Sequence, residues 1–425
     1  MSGPAPRVPF LPIPLVEVDL PDAGAQPEPA PNARGEVLLR VLDRGWPVAQ
    51  GVETGLRDRA DVRRRAELVL RREESFRPPG WRAGDAPATG APVTVVVCTL
   101  GADPGLRAAV DLILSQTYAD IDLVVVDNAP ETGGADALLG GVGDPRLRIV
   151  REPRRGLSVA RNTGLAHARG EIVAFTDDDA VPDRRWVAEL VRAFAADPDS
   201  RLACVTGLVL PAELETEAQA LFEECSGFAK GFRAMHWSVL PATGELAALT
   251  VPGKRGAAFP YSGGDFGSGN NMAFRTAALR ALGGFDVALG AGSATRGGED
   301  LDIFRRVYLA GMRLVYHPAA MVGHRHRREM EALRTQMYGY GTGMAAVVTK
   351  VVLGGGALPI ARRLPGALSL LLRRDSAKNA RKSPAFPGEV TRAELRGYLL
   401  GPGLYLKARR AARRRGLAAT AEGGR

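Results

Sequence analysis

The chain has 425 residues, room for one large domain with additions or for two ordinary ones, and 45% of them are apolar, as a packed globular protein requires. A formal net charge of +9 attracts anions such as nucleotide diphosphates or acidic lipid headgroups. Arg dominates the basic set in an Ala-rich sequence, so the excess alone names no partner. Three widely spaced cysteines, Cys98, Cys204 and Cys225, exclude a zinc pattern and a disulfide framework and suit a reducing cytoplasm.

In chain order, the first twenty residues lack a basic start followed by a continuous apolar core, so they make a poor signal peptide. Residues 21–33, PDAGAQPEPAPNA, are a Pro/Ala-rich spacer. GEVLLRVLDRGWPV then predicts strands and RDRADVRRRAELVLRREE a charged helix, which together make residues 1–76 an extension with a small α/β module. RPPGWRAGDAPATGAP (77–92) reads as a linker. The main domain is expected over 93–328 and a helical, basic extension over 329–425.

The main domain opens with VTVVVCTL (93–100), apolar on both faces as a buried parallel strand would be. A helix follows with Leu106, Ala109, Val110, Ile113 and Leu114 on one face. IDLVVVDNA (121–129) and LRIVRE (147–152) are further strands, LSVARNTGLAHAR (157–169) a second helix, and EIVAFTDDD (171–179) a fourth strand ending in carboxylates. This alternation predicts an α/β fold with a mostly parallel sheet flanked by helices. Ligands of such sheets bind beyond the carboxyl ends of the strands, where Asp127 and Asp177–Asp179 fall.

In FTDDDAVPDRRW the alternation of an extended chain points Asp177 and Asp179 together and Asp178 away. Two close carboxylates repel unless a cation lies between them, and Mg²⁺ or Mn²⁺ is the hard, oxygen-seeking choice. Pro182 then suits the first turn of the next helix. Glu299, Asp300 and Asp302 open another helix, with Ile303, Val307 and Leu309 as its apolar contacts. These carboxylates suit the helix dipole, and one of them could equally act as a general base. The preceding Gly pair permits close approach of a ligand. His324 and His326, in GHRHRR, could ligate a metal, although their spacing alone favours a surface basic patch. Asp127 could accept bonds from a base or ribose, or cap a turn with Asn128. Arg161 and Asn162 could reach phosphates.

The run from 93 to about 328 resembles the family-2 glycosyltransferases, which share the GT-A fold. VTVVVCTL, VVVDNAP, GLSVARNTGLAHARGEIVAFTDDDAVP, GSGNNMAFRTAALRALGGFD and GGEDLDIFRRVYLAG carry the resemblance, in that order. It implies a metal-dependent, inverting transfer from a nucleotide-sugar donor to a glycan or lipid-linked hydroxyl acceptor, with no nucleic acid as partner. By that resemblance Thr99, Asp127, Arg161, Asn162, Asp177 and Asp178 serve the donor nucleotide. Asp177, Asp179 and His324 hold Mg²⁺ or Mn²⁺, and Asp179 is the direct ligand. Asp300, beside Glu299, is the base, while Gly269, Asn270 and Asn271 lie on the acceptor side. The first strand ends in CTLGAD rather than the P-T-Y-N-like turn usual in the family, and Val126-Asp127 stands where a pair of Asp is usual.

DDDAV also fits the nucleophile motif of haloacid-dehalogenase-like phosphatases, but three strand–helix units precede it here, whereas that motif belongs on a first strand. No G-x-G-x-x-G follows the first strand, which excludes a dinucleotide enzyme, and no Gly-rich, Arg-containing loop suggests a nucleotidyltransferase. A non-catalytic scaffold is disfavoured by intact Asp179 and Asp300. Residues 343–361, interrupted by Lys350, a Gly triplet and Pro359, read as helix and turn rather than a membrane span. In the tail LKARRAARRRGL (406–417), basic residues beside Leu400, Leu404, Tyr405 and Ala408 at helical spacing suggest an interfacial helix touching an anionic inner membrane face.

Overall fold

A computed structural model describes residues 12–20, 28–72, 77–78, 81–225, 227–256, 258–261, 263–376 and 378–417. The expectations for the first eleven residues and for 21–27 of the spacer lie outside the described residues.

The N-terminal module is a three-stranded sheet in the order β1 (Leu15–Asp19), β2 (Glu36–Asp43), β3 (Trp46–Thr54). The helix α1 (Arg59–Arg72) keeps Arg59, Arg63, Arg64 and Arg71 in water and packs Val62, Ala66 and Val69 into the module's core. Residues 77–92 were expected to be a linker, but Trp81 within them is buried. It meets Trp46 edge-on at 5.0 Å and donates from Nε1 to Glu189 of the main domain at 3.3 Å. Apolar area on two indoles outweighs the Pro/Gly signal around them, so the module is fastened to the domain it precedes.

The main domain runs β4 (Val93–Thr99), α2 (Gly105–Leu114), β5 (Ile121–Asp127), α3 (Gly134–Leu139), β6 (Leu147–Arg151), α4 (Leu157–His167), β7 (Ile172–Asp177), β8 (Ala180–Pro182) and α5 (Trp186–Ala195). It continues with β9 (Leu202–Pro211), α6 (Glu217–Cys225), β10 (Met235–Trp237), α7 (Gly244–Leu249), β11 (Val251–Pro252), β12 (Asn271–Arg275), α8 (Thr276–Ala281), α9 (Glu299–Leu309) and β13 (Arg313–His324). The sheet order is β11-β10-β13-β9-β12-β7-β4-β5-β6, with β8 paired to β13. β7, β4, β5 and β6 are mutually parallel, while β12 lies antiparallel between β7 and β9.

β4 shows why the apolar runs are continuous. Val93, Val95 and Val97 pack with Leu106, Val110 and Ile113 of α2, while Val96 packs on the other face with Ala160 and Leu165 of α4. A strand covered on both faces has no polar side to show. The chain steps outward from β4 to β5 to β6, then returns to the opposite side of β4 as β7. Between β4 and β7 the order reverses, and a crevice opens at their carboxyl ends.

Two local expectations are corrected. Pro182 ends the short strand β8 rather than opening a helix, because residues 180–182 pair with β13; α5 begins four residues later, at Trp186. Leu309, at the last turn of α9, faces solvent, while Ile303 and Val307 are buried.

Three helices finish the described chain: α10 (Met330–Val351), α11 (Ala357–Leu372) and α12 (Gly388–Arg414). α10 and α12 meet backbone to backbone. A Cβ on Gly341 would lie 2.1 Å from the Glu394 carbonyl oxygen, and one on Gly397 would lie 2.3 Å from that of Tyr338. Met330–Leu372 is long and apolar enough to cross a membrane by length and composition, yet half of it is α10, which α12 covers. On α12, Tyr405, Ala408 and Ala412 are buried against the protein, and Tyr405 packs with Ala346 and Val347 of α10. Of the four tail residues at helical spacing, Tyr405 and Ala408 thus pack against the protein, while Leu400 stays exposed.

Candidate active site

The crevice between β4 and β7 gathers the first set of residues. Register places Cys98 beside Asp177 and Thr99 beside Asp127. Thr99 Oγ1 donates to Asp178 Oδ2 at 2.6 Å, so Asp178 is turned toward the first strand. Asp177 and Asp179 point the other way and meet His324, which pairing with Ala180 holds at the end of β13. One ligand atom from each of these three side chains lies within 4.8 Å of the others.

The tautomer of His324 follows from its neighbours. His326 Nε2 lies 2.8 Å from Glu223 Oε1 and donates to that carboxylate. His326 then offers the lone pair of Nδ1 to His324 Nδ1, 3.1 Å away, which must be the donor. This leaves a lone pair on His324 Nε2, facing Asp179 Oδ1 at 3.3 Å. Burial pushes the His324 pKa well down, so the ring stays neutral. Burial, then the charges of Asp177 and Asp178, pushes Asp179 up to about 8. Asp179 Oδ1 is buried and hydrogen-bonded to nothing. Two acceptors face to face require a proton or a cation between them. Two carboxylates and a neutral imidazole, oriented by His326 with the Glu223 carboxylate behind it, fit a divalent cation such as Mn²⁺ or Mg²⁺. The surface-patch alternative for His324 and His326 is overturned, since both are buried.

α9 supplies the second set. Its N-cap Gly298 has φ +94°, and a Cβ there would lie 2.6 Å from the Gly343 carbonyl oxygen. The glycine thus also serves the close approach of α10. Three successive carboxylates then go three ways. Glu299 Oε1 accepts from Arg161 Nη1 at 2.9 Å; burial and then the Asp300 charge still push its pKa up to about 7. Asp300 lines a cavity of about 870 Å³ and accepts the Gly269 N–H at 3.0 Å through Oδ2. Asp302 is buried, which disfavours its charge, but Lys350, Arg306 and Arg305 outweigh that and hold its pKa well below the usual range.

Arg161 joins the two sets. It is buried, bonded to Glu299 and to the Gly269 carbonyl oxygen at 3.0 Å, and 3.6 Å from Asp177 Oδ1. Asp177, His324, Arg161, Asp300, Gly269 and Asn270 all line the one cavity. Both side-chain polar atoms of Asn270 are buried there with no partner. Asp127 sits at the neighbouring strand end; Oδ1 accepts the Ala129 N–H at 2.9 Å and Oδ2 is buried without a partner.

Two expected residues are placed elsewhere. Asn162 exchanges hydrogen bonds with the backbone of Phe285, both at 2.8 Å, and so fixes a loop. Asn271 accepts from Trp186 Nε1 at 2.9 Å and donates to the Leu208 and Ala320 carbonyls, which knits the sheet together. Other residues were not foreseen: Lys230 and Arg327 line the cavity, and Gln336 and Tyr340 of α10, Lys378, and Tyr398 of α12 form its far wall. That wall comes from sequence outside the motifs, where no spacing marks it.

Residues 94–282 match the model of glycosyl transferase family 2. The pre-mycofactocin glycosyltransferase of Mycobacterium tuberculosis is 30% identical over 275 residues, 64% of this chain and 48% of the relative. This chain therefore spans about half the length of that protein. A glucosyl-dolichyl phosphate glucuronosyltransferase of Haloferax volcanii is 26% identical over 239 residues, 55% of this chain and 69% of the relative. Among solved structures, a mannosyltransferase from Pyrobaculum calidifontis in complex with GDP-Man and Mn²⁺ aligns at 21% identity and a TM-score of 0.43, over 81% of this chain and 79% of that one. The family match does not favour the phosphatase alternative.

Proposed function

We propose that this chain, whose residues 94–282 match the model of glycosyl transferase family 2, is a glycosyltransferase of the GT-A type that moves a glycosyl group from a nucleoside-diphosphate sugar to a hydroxyl of a glycan or lipid-linked acceptor, inverting the anomeric centre in one displacement. The observation that carries this reading is the shared cavity: Asp177 and His324 on one wall, Asp300 on another, and Arg161 between them. The name of the haloarchaeal relative couples glucosyl-dolichyl phosphate to glucuronosyl transfer, which supports a lipid-linked acceptor. Three free thiols suit a cytoplasmic setting.

Asp177, Asp179 and His324 would hold Mn²⁺ or Mg²⁺, which when bound neutralises charge on the departing diphosphate. Thr99 keeps Asp178 out of that ligand set, and Asp127 offers a free carboxylate oxygen to the nucleoside. Arg161, already neutralised by Glu299, steadies Asp177 and the Gly269 carbonyl. Asp300, oriented by the Gly269 N–H, takes the proton from the acceptor hydroxyl as that oxygen attacks the anomeric carbon. Asn270 offers an amide to a sugar hydroxyl.

The test is release of nucleoside diphosphate from a set of nucleotide sugars with hydroxyl acceptors, plus the anomeric configuration of the product by NMR. Transfer with inversion is expected. Retention, or hydrolysis of phosphate monoesters without any nucleotide sugar, would overturn the reading.

A further inference from the structure

The helix α11 turns an apolar face outward. Leu358 is 61% exposed, Leu364 51%, Leu368 44% and Leu372 66%, and no residue of the helix is buried. At 100° per residue these leucines, with Ala361 and Pro365, fall on one continuous side. The preceding turn adds Leu353, 51% exposed. A helix packed on a water-soluble surface normally shows the opposite arrangement, and the cost of this much wet leucine needs an occupant.

Charge identifies the occupant. Between Glu331 and Asp375 the sequence has no acidic residue. Arg362 is exposed beside the leucine face at mid-helix, Arg374 is exposed just past the helix end, and Arg373 is exposed too, beside its partner Asp375. A second copy of the chain set on this face would bring like charges together, whereas an anionic lipid surface takes both the leucines and the arginines. The helix has 16 residues, a reach of about 24 Å at 1.5 Å per residue, short of the roughly 30 Å hydrocarbon core. With Arg362 and Arg363 mid-helix, it suits lying in the interface rather than crossing it.

We infer that α11 docks the protein on an anionic membrane surface through Leu358, Leu364, Leu368 and Leu372. The docking site is tied to the cavity. Arg363 Nε donates to the Phe259 carbonyl at 2.7 Å and its guanidinium lies over Tyr261, and this segment runs on into the cavity-lining residues Gly267–Asn270. α11 is thus fastened to the segment that leads into the cavity-lining residues. This inference is independent of the catalytic reading, since vesicle binding succeeds or fails whatever Asp300 does.

Co-sedimentation of the full chain with phosphatidylcholine vesicles, with and without phosphatidylglycerol, tests it. Binding to the anionic vesicles is expected. Combined Leu364→Ser, Leu368→Ser and Leu372→Ser should weaken it at least about tenfold with an unchanged melting curve, because the leucines touch little protein. Arg362→Glu with Arg374→Glu should weaken it by roughly fivefold per residue. Undiminished binding by the triple-Ser protein, or no binding by the wild type, overturns the proposal. So does a wild-type dimer that the serines convert to monomer without any vesicle binding, since a second copy would then be the occupant. Release by detergent but not by high salt, with the serines in place, would mean insertion and overturn surface docking.

Discussion

Two acidic clusters of nearly equal composition behave in opposite ways. At the end of β7, Asp177 and Asp179 converge on His324; Arg161, 3.6 Å from Asp177 and already bonded to Glu299, and Arg327 act on them, yet burial still raises both carboxyls. At the start of α9, Glu299, Asp300 and Asp302 diverge, and two of the three meet cations built into the chain: Arg161 for Glu299, and Arg305, Arg306 and Lys350 for Asp302. Strand geometry brings every second side chain to one point, whereas a helix turns successive side chains by about 100°. The strand end thus accumulates negative charge that something from outside must balance. The helix start balances its own charge and leaves one carboxylate, Asp300, at the cavity.

The sharpest test of this contrast is Asp179→Ala. It removes a proposed metal ligand, so transfer should fall below detection while the far-UV circular dichroism stays unchanged. Calorimetric titration with Mn²⁺ should lose its high-affinity site. Full activity in chelator would show that the strand-end cluster needs no outside charge. Next is Asp300→Asn, which keeps the hydrogen bond from Gly269 but removes the proposed base. Turnover should drop by about two to four orders of magnitude with little change in donor affinity. A collapse in donor affinity with turnover at saturation intact would mean that Asp300 belongs to the donor site.

Lys350→Met probes the built-in cations. Nζ lies 2.7 Å from Asp286 and 2.9 Å from Asp302, all three buried. Leaving those carboxylates without it should cost about 3–5 kcal/mol of stability in a denaturant titration, and added Mn²⁺ should not restore it. Rescue by metal would erase the distinction between the clusters.

The smallest effect concerns pH. Asp178 at about 6, Glu299 at about 7 and Asp179 at about 8 are all raised above their ordinary values, burial being the largest cause in each case. A raised carboxyl keeps its proton in the folded state while the unfolded chain has lost it. Its contribution to stability is therefore complete below about pH 4 and is lost as pH climbs through the folded values. The metal-free protein should melt a few degrees lower at about pH 8 than at about pH 6. Saturating Mn²⁺, which takes the place of the Asp179 proton, should flatten that slope. An unchanged slope with metal would argue that the strand-end proton is not displaced.

Much of this was legible in the sequence, for reasons that can be named. β4, β5 and β7 announce themselves because burial on both faces leaves continuous apolar runs, and the carboxylates that end them mark the crevice. The period of two in an extended chain is enough to separate Asp178 from Asp177 and Asp179. What stayed hidden depends on distant partners. His324 and His326 read as a basic patch because Arg residues flank them. His324 is buried because it ends β13, an interior strand, and His326 because it packs just beyond that end on Phe222 and Glu223; a run containing His317 and Pro318 does not advertise this. Asn162 and Asn271 sit inside motifs that point to a ligand, yet each serves a backbone group far away in sequence. Trp81 lies in a stretch whose Pro and Gly content says linker, and its partners Trp46 and Glu189 come from opposite sides of it. Local pattern fixes periodicity; it does not say which distant group a polar side chain will meet.

The position of β12 has a consequence for the order in which the chain acquires its structure. β4, β5, β6 and β7 are close in sequence and can pair as soon as they exist. β7, however, keeps one edge open until Asn271–Arg275 arrives to lie against Ile172–Thr176, and β9 waits for the same strand. Closing so long a loop is slow, because its entropy is lost before its contacts form. The crevice that holds Asp177 and Asp179 therefore matures late, and during synthesis the open edge of β7 is the place where a premature partner strand would do the most harm.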